Sequence, residues 1–385
     1  MFFKFILNKR LVYVFFILIS LLVVHKALQE RKKFDLTYSP TYDGVIYEHQ
    51  QIQRYLKFEG DFSFKNRVSQ AIYEFKGNHV SGLYNAVILL LSPKLLINDY
   101  HIFIRSIVAV LAFCFSFYLI FRTRYYAIWI VSLLFLLFQL PIFYNIRIGL
   151  GSYTPEFVSA IYLLSGYLFL LYFFQVRQIR FFLLGITLLL LPIFFNVLFS
   201  LICSVTILPF IFVIIRKRVS FTRRQLVIMV LTIIVYCLFY SFYLIQHLSY
   251  YSLIFSSICY NNYVFSQFFH FLLDNFNNFY LGYFILFIIL FFNINRLFRT
   301  PNHKSIITSK VNSLLLLYPI ILFLIFLPIF KNNFPFLALL LLFWIFLLSL
   351  VDLQIIRWKK MNNYIQVKRL IILGLIIFIG LYLYL

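Results

Sequence analysis

Acidic side chains are scarce in this chain. Asp and Glu number 11 against 34 Lys and Arg, and charged residues of both signs make up only 12% of 385 residues. A soluble domain carries about twice that charge fraction, so a soluble globular protein is excluded. With 63% hydrophobic residues, the composition is that of a polytopic integral membrane protein. Cysteine chemistry is missing as well: Cys114, Cys203, Cys237 and Cys259 are scattered, and no C-x-x-C occurs. That excludes a disulfide framework and a zinc site of ordinary spacing and leaves the cysteines as small hydrophobes. No small-residue cleavage site follows the first apolar run, so the N-terminus reads as a retained signal-anchor and not as a signal peptide. No internal repeat relates the two halves, which disfavours a secondary transporter.

The net charge of +23 invites a nucleic-acid reading, and its distribution excludes one. Residues 30–99 hold nine Lys/Arg against eight Asp/Glu, and the remaining excess sits in short clusters between apolar runs. That is the pattern of the positive-inside rule. A spanning helix needs roughly 17–25 apolar residues. About eleven spans are expected, at 11–29, 102–121, 126–146, 156–174, 181–196, 197–215, 225–246, 279–295, 312–330, 334–356 and 370–385. Arg122 with Arg124, Arg177 with Arg180, Arg216 to Arg224, Arg296 to Lys310 and Arg357 to Arg369 mark cytoplasmic turns. The N-terminus is then cytoplasmic and residues 30–100 lie outside. Arg31-Lys32-Lys33, just beyond the first span, is the one basic cluster on the wrong side. Pro192 and Asn196 interrupt the long run from Gly185 to Ile215, since proline removes a backbone donor and asparagine in lipid needs a partner. A hairpin of two short helices is expected there.

Eight of the eleven acids lie between Glu30 and Asp99. This first loop has helical periodicity: Ile52, Tyr55 and Leu56 share one face, Val68, Ala71, Ile72 and Phe75 another, and Leu83 to Leu91 is an apolar run ended by Pro93. Amphipathic helices lying on the membrane surface and covering a cavity are expected.

Thr41-Tyr42-Asp43-Gly44 shortly after the first span, followed by a Tyr-rich helix, resembles the first external loop of the GT-C superfamily of integral membrane glycosyltransferases. Further segments follow in the family's order. Gly77 to Tyr84 resembles its His-x-Pro-Leu-Tyr-like segment. Asp99 to Arg105 resembles the approach to its second helix. Tyr153-Thr154-Pro155-Glu156 resembles a second acidic position, and Gly185 to Asn196 the broken helix that follows. The resemblance covers residues 1–215. It implies an all-α polytopic fold in which 1–29 is the N-terminus and first helix, 30–100 the catalytic loop, 101–215 the transmembrane core and 216–385 further helices. It also implies an inverting transferase in a bacterial inner membrane, moving a sugar from a polyprenyl-phosphate donor to a glycan, lipid or protein acceptor.

The chemistry this requires is a base for the acceptor hydroxyl and cationic or donor groups for the leaving phosphate. The family's first-loop base carries over to Asp43, with Glu48 and Glu156 as further carboxylate candidates. Arg105 or Arg147 is suited to the lipid phosphate, with His79, Tyr84 and Tyr153 as substrate contacts. Each residue also has a plainer role: Asp43 as a turn residue, Glu48 as an exposed helix residue, Glu156 as an acid at a helix start, Arg105 as a snorkelling cation. His49, His79 and His101 match no metal-ligand spacing, and no metal or other cofactor is expected. Two other classes remain. A lipid-linked glycan flippase would line its spans with ionisable residues, and within the spans there is almost none besides Asp352. An O-antigen-type polymerase is expected to carry its arginine-bearing loop later in the chain, and 247–278 has no Arg.

Overall fold

The computed structural model describes residues 9–37, 43–58, 60–77, 82–96, 100–121, 134, 138, 141–144, 149–151, 156–195 and 221–248. These form helices, turns and short connecting segments. Eight α-helices are described: α1 Lys9–Thr37, α2 Asp43–Leu56, α3 Phe64–Gly77, α4 Gly82–Leu91, α5 Tyr100–Phe121, α6 Glu156–Val176, α7 Ile179–Phe195 and α8 Arg223–Gln246, with 3-10 turns at Pro93–Leu96 and Pro141–Tyr144. Within these residues, Leu11–Lys33, Tyr100–Leu119 and Arg223–Tyr243 are long and apolar enough to cross a membrane. The architecture is consistent with a helical membrane protein. The spans expected at 279–295, 312–330, 334–356 and 370–385 lie outside the described residues.

Helix α6 is the centre. It is apolar on every face, and a helix of that kind must be buried all round; each residue from Phe157 to Leu170 is buried. Helices α5 and α7 cover most of it. It turns back into α7 at Arg177 and Gln178, where Arg177 adopts a left-handed φ of 58°. The two helices close up at paired glycines: a Cβ on Gly166 would lie 2.8 Å from the carbonyl oxygen of Gly185, and one on Gly185 would lie 3.0 Å from that of Gly166. Small residues at such a crossing let backbones approach, the main source of helix association where lipid is as apolar as the side chains.

Ring contacts set the directions of the other helices. Tyr13 stacks on Phe115 at 5.0 Å and Phe16 meets Tyr118 at 5.6 Å, so the start of α1 lies at the end of α5 and the pair is antiparallel. The Tyr162 hydroxyl donates to the Arg105 carbonyl at 2.8 Å. Both residues lie near their helix starts, so α5 and α6 run parallel. Phe194 stacks on Phe239 at 6.3 Å at one end, while Gln225 Nε2 donates to the Arg177 carbonyl at 3.1 Å at the other. Thus α7 and α8 also run parallel. The expected spans 126–146 and 197–215 fall between the members of these two pairs. The end expected for the first at 146 is overrun by the 3-10 turn Pro141–Tyr144, since a proline closes the apolar run there, and 197–215 lies outside the described residues.

One helix departs from expectation. α1 continues to Thr37, eight residues past the expected end of the span, and is about 43 Å long. Its extension is anchored by Arg31, which is buried and donates to the Gly151 carbonyl at 3.1 Å. The basic cluster that conflicts with the charge rule is therefore partly a structural contact, and Lys33 pairs with Glu30 at 3.2 Å. Helix α7 ends at Phe195, one residue short of the end expected at 196, with Pro192 in its last turn, where one missing N–H leaves only a single carbonyl unpaired. Asn196 lies outside the described residues.

Helices α2 to α4 form a small cap. Helix α3 is preceded by Ser63, whose backbone N–H donates to Asp61 Oδ1 at 2.9 Å after a turn through Gly60 at φ 87°. Arg67 Nη1 donates to the carbonyls of Leu90 and Leu91 at 3.1 and 3.2 Å, satisfying the end of α4. Phe58, Ala71, Ala86, Ile88 and Leu89 make the cap's own core. Phe75 reaches Phe242 at 6.3 Å and Tyr243 at 6.1 Å, which seats the cap on the end of α8.

Gly166→Leu should separate α6 from α7, because the atom it meets is backbone and cannot rotate away. A loss of about 1–3 kcal/mol or more is expected, read as a lowered melting temperature in detergent. Leu184→Ala, on the exposed side of α7, should change little.

Candidate functional site

The cap meets the helix ends around Arg105. This side chain is in the second turn of α5 and only 5% exposed. Its guanidinium lies over the Tyr84 ring, 5.9 Å from the centroid. The Tyr84 hydroxyl donates to the His101 carbonyl at 3.2 Å, one helical turn before Arg105. Because carbonyl oxygens only accept, His101 Nδ1, 2.9 Å from the Leu95 carbonyl, carries the proton of that bond. His101 thereby ties the Pro93–Leu96 turn to the head of α5. Phe195, the last residue of α7, packs on Tyr84 at 4.9 Å and stacks on Tyr162 at 6.1 Å. Four elements converge here: α4, α5, α6 and α7.

Electrostatics follow from this packing. Burial pushes the Tyr84 phenol up to about 12, against the smaller opposing pull of Arg105. It is therefore a neutral donor at every physiological pH. The first turn of α5 holds no acidic residue. A guanidinium in such a place is suited to an anion that can accept its planar fork.

A second set of bonds fixes the neighbouring turn. Ser106 Oγ donates to the Leu150 carbonyl at 2.8 Å, and Arg31 donates to Gly151. A Cβ on Gly151 would run into the Ala27 carbonyl oxygen, so only glycine permits α1 to come this close. The chain from this turn enters α6 at Glu156.

The expected site residues fall into three groups. Arg105 and Tyr84 are in contact. Asp43, Glu48 and Glu156 are placed by backbone: Asp43 is the first residue of α2, Glu48 follows five positions later, and Glu156 is the first residue of α6. Helix α2 packs against the Pro93–Leu96 turn that His101 holds. Glu156 precedes Tyr162 by six positions, about 9 Å along the axis, at the end of α6 where Arg105 lies. Positions five apart on a helix are separated by about 140° around the axis, so Asp43 and Glu48 do not share a face. Arg147, His79 and Tyr153 lie outside the described residues. Among the described residues, no three of His, Cys, Asp and Glu converge as a metal site would require.

Helix α2 turns differently from its apolar pattern. Ile52 is 41% and Leu56 63% exposed, while Gln51 and Arg54 are buried. The cause is a long-range partner: Arg54 Nε donates to Glu74 Oε2 at 2.8 Å, with both side chains less than a tenth exposed. This ion pair clamps α2 to α3. Tyr162 is the residue that sequence reasoning passed over. Its only signal is a phenol in an apolar run, and the chain has 29 tyrosines.

Two outcomes follow. Glu74→Gln leaves Arg54 charged in a buried place and should cost about 3 kcal/mol or more; replacing both residues by leucine should recover much of the loss, as read by thermal melts. Tyr84→Phe should cost about 1 kcal/mol, equally at pH 6 and pH 9. The raised phenol group withholds stability only as pH climbs from about 10 towards 12, where the unfolded chain ionises first.

No family model, no curated protein and no solved structure matches this chain.

Proposed function

We propose that the protein is an inverting GT-C-type glycosyltransferase, taking a sugar from a polyprenyl-phosphate carrier and transferring it to a glycan, lipid or protein acceptor outside the membrane. The observation that carries this reading is the contact between Arg105 and Tyr84. A buried guanidinium at the head of a membrane helix lies against the loop that holds most of the chain's carboxylates. A lipid phosphate arrives at that depth, where the hydrocarbon ends and the cap begins. The resemblance of the Asp43, Tyr84, Arg105 and Glu156 segments to the family adds to this.

Sidedness is supported by the same packing. The cap, the end of α1 and the starts of α5 and α6 gather at one end of the bundle. Arg177, Arg180, Arg223 and Arg224 gather at the other, on the turns joined by Gln225. The positive-inside rule assigns the arginine end to the cytoplasm. The cap then faces outward and the N-terminus inward, as in a bacterial plasma-membrane enzyme.

In this mechanism Asp43 removes the proton from the acceptor hydroxyl as that oxygen attacks the anomeric carbon. The bond to the carrier phosphate breaks on the opposite face. Arg105 balances the charge that develops on the departing phosphate, in a setting of low polarity where such a contact is strongest. Tyr84 positions Arg105 through its ring. No metal is routed through the step.

In proteoliposomes supplied with a panel of polyprenyl-phosphate monosaccharides, Asp43→Asn should lower transfer about 100-fold or more without changing insertion. Arg105→Gln should weaken use of the donor. Undiminished transfer by Asp43→Asn removes the base from the mechanism and with it this assignment.

A further inference from the structure

The opposite end of the bundle holds a second charged feature with a different chemistry. Arg177 ends the turn after α6, Arg180 is in the first turn of α7, and Arg223 and Arg224 open α8. All four are exposed. They are brought to one corner by the Gln225-to-Arg177 bond at 3.1 Å and by Phe173 stacked on Phe221 at 5.6 Å with planes 6° apart. Arg180 is braced by its Nε bond to Gln178 at 2.9 Å and lies over the Phe181 ring at 4.9 Å. The first turns of α7 and α8 contain no acidic residue. Both helices point their positive ends at this corner, which adds to the guanidinium charge. Thr222 and Gln225 cap α8 reciprocally at 3.1 and 3.3 Å, which holds the corner rigid.

Within about two turns of the arginines the exposed residues of both helices become apolar. Leu183 and Leu184 on α7, and Leu226, Val227 and Val230 on α8, are exposed. A cationic corner above an apolar strip matches one class of molecule in shape and charge: a phosphate headgroup with a hydrocarbon tail.

We propose that Arg177, Arg180, Arg223 and Arg224 form a binding site for the headgroup of an anionic membrane phospholipid, whose acyl chain lies along the exposed apolar side of α7 and α8. The site is independent of the transferase reading and lies at the other end of the bundle. Planar guanidinium forks bind phosphate oxygens in pairs, and the apolar strip distinguishes the lipid from free phosphate.

The test uses the full chain in phosphatidylcholine nanodiscs, with added phosphatidylglycerol, added phosphatidylcholine or inorganic phosphate. Melting temperature and lipids retained in native mass spectrometry are the readouts. Phosphatidylglycerol should stabilise the protein saturably, while the other two additions should not. Arg180→Gln with Arg224→Gln should weaken the phosphatidylglycerol effect about tenfold, equal to one charge-assisted contact. Arg180→Lys with Arg224→Lys, which preserves the charge that sets topology, should weaken it by a smaller factor. Equal stabilisation by phosphatidylcholine overturns the site, as does an unchanged affinity in either double variant. A full shift from inorganic phosphate alone overturns the lipid and leaves an anion site.

Discussion

Helix α6 has no polar face, so its neighbours must enclose it on every side, and the rest of the bundle is arranged by that demand. Gly166 and Gly185 allow α7 to approach at backbone distance, α5 packs along another side of α6, and α1 in turn packs on α5. Enclosure buries Tyr162 and Ser165 away from water, and both bond within the protein. The Tyr162 phenol meets the Arg105 carbonyl; Ser165 Oγ turns back on Ile161 at 2.6 Å. Arg105 is held in register with α6 by the first of these bonds, so the same packing that buries the core also positions the candidate phosphate contact.

Charges in the 30–99 segment divide into those the fold uses and those it leaves for chemistry. Arg31 anchors the extension of α1, Arg54 and Glu74 clamp two cap helices, Arg67 closes the end of α4, and Glu30 pairs with Lys33. The acid enrichment is therefore in part a scaffold for the cap. Asp43, opening the helix that rests on the turn bound by His101, stays the proposed base because of where that helix is seated.

Much of the bundle was legible in the chain because lipid imposes a simple rule. A span must be apolar for its full depth, so the apolar runs at 102–121, 156–174, 181–196 and 225–246 predict α5, α6, α7 and α8 to within about two residues. The rule says nothing once a helix leaves the hydrocarbon. That is why the extension of α1 to Thr37 was not legible: it is polar, and Arg31 stabilises it through a residue 120 positions away. Periodicity likewise predicts that α2, α3 and α4 are helices, yet the buried side of α2 holds Gln51 and Arg54. An apolar stripe marks a protein core only where the alternative is water, and an ion pair with Glu74 can claim the inner face instead. Of the candidate site, Tyr84 and Arg105 were identified individually, and their contact was not.

By itself, the sequence determined membrane class, the positions of the described core helices and the separation of acid from base along the chain. These depend on local composition and on the cost of placing polar groups in hydrocarbon. Tertiary structure alone decided which helices run parallel, where two glycines let backbones touch, and which cations are used by the fold. It also brought Arg105 to Tyr84, and four arginines to one corner at the other end. Those outcomes depend on contacts between residues far apart in the chain, whose complementarity has no signature in the stretch around either one.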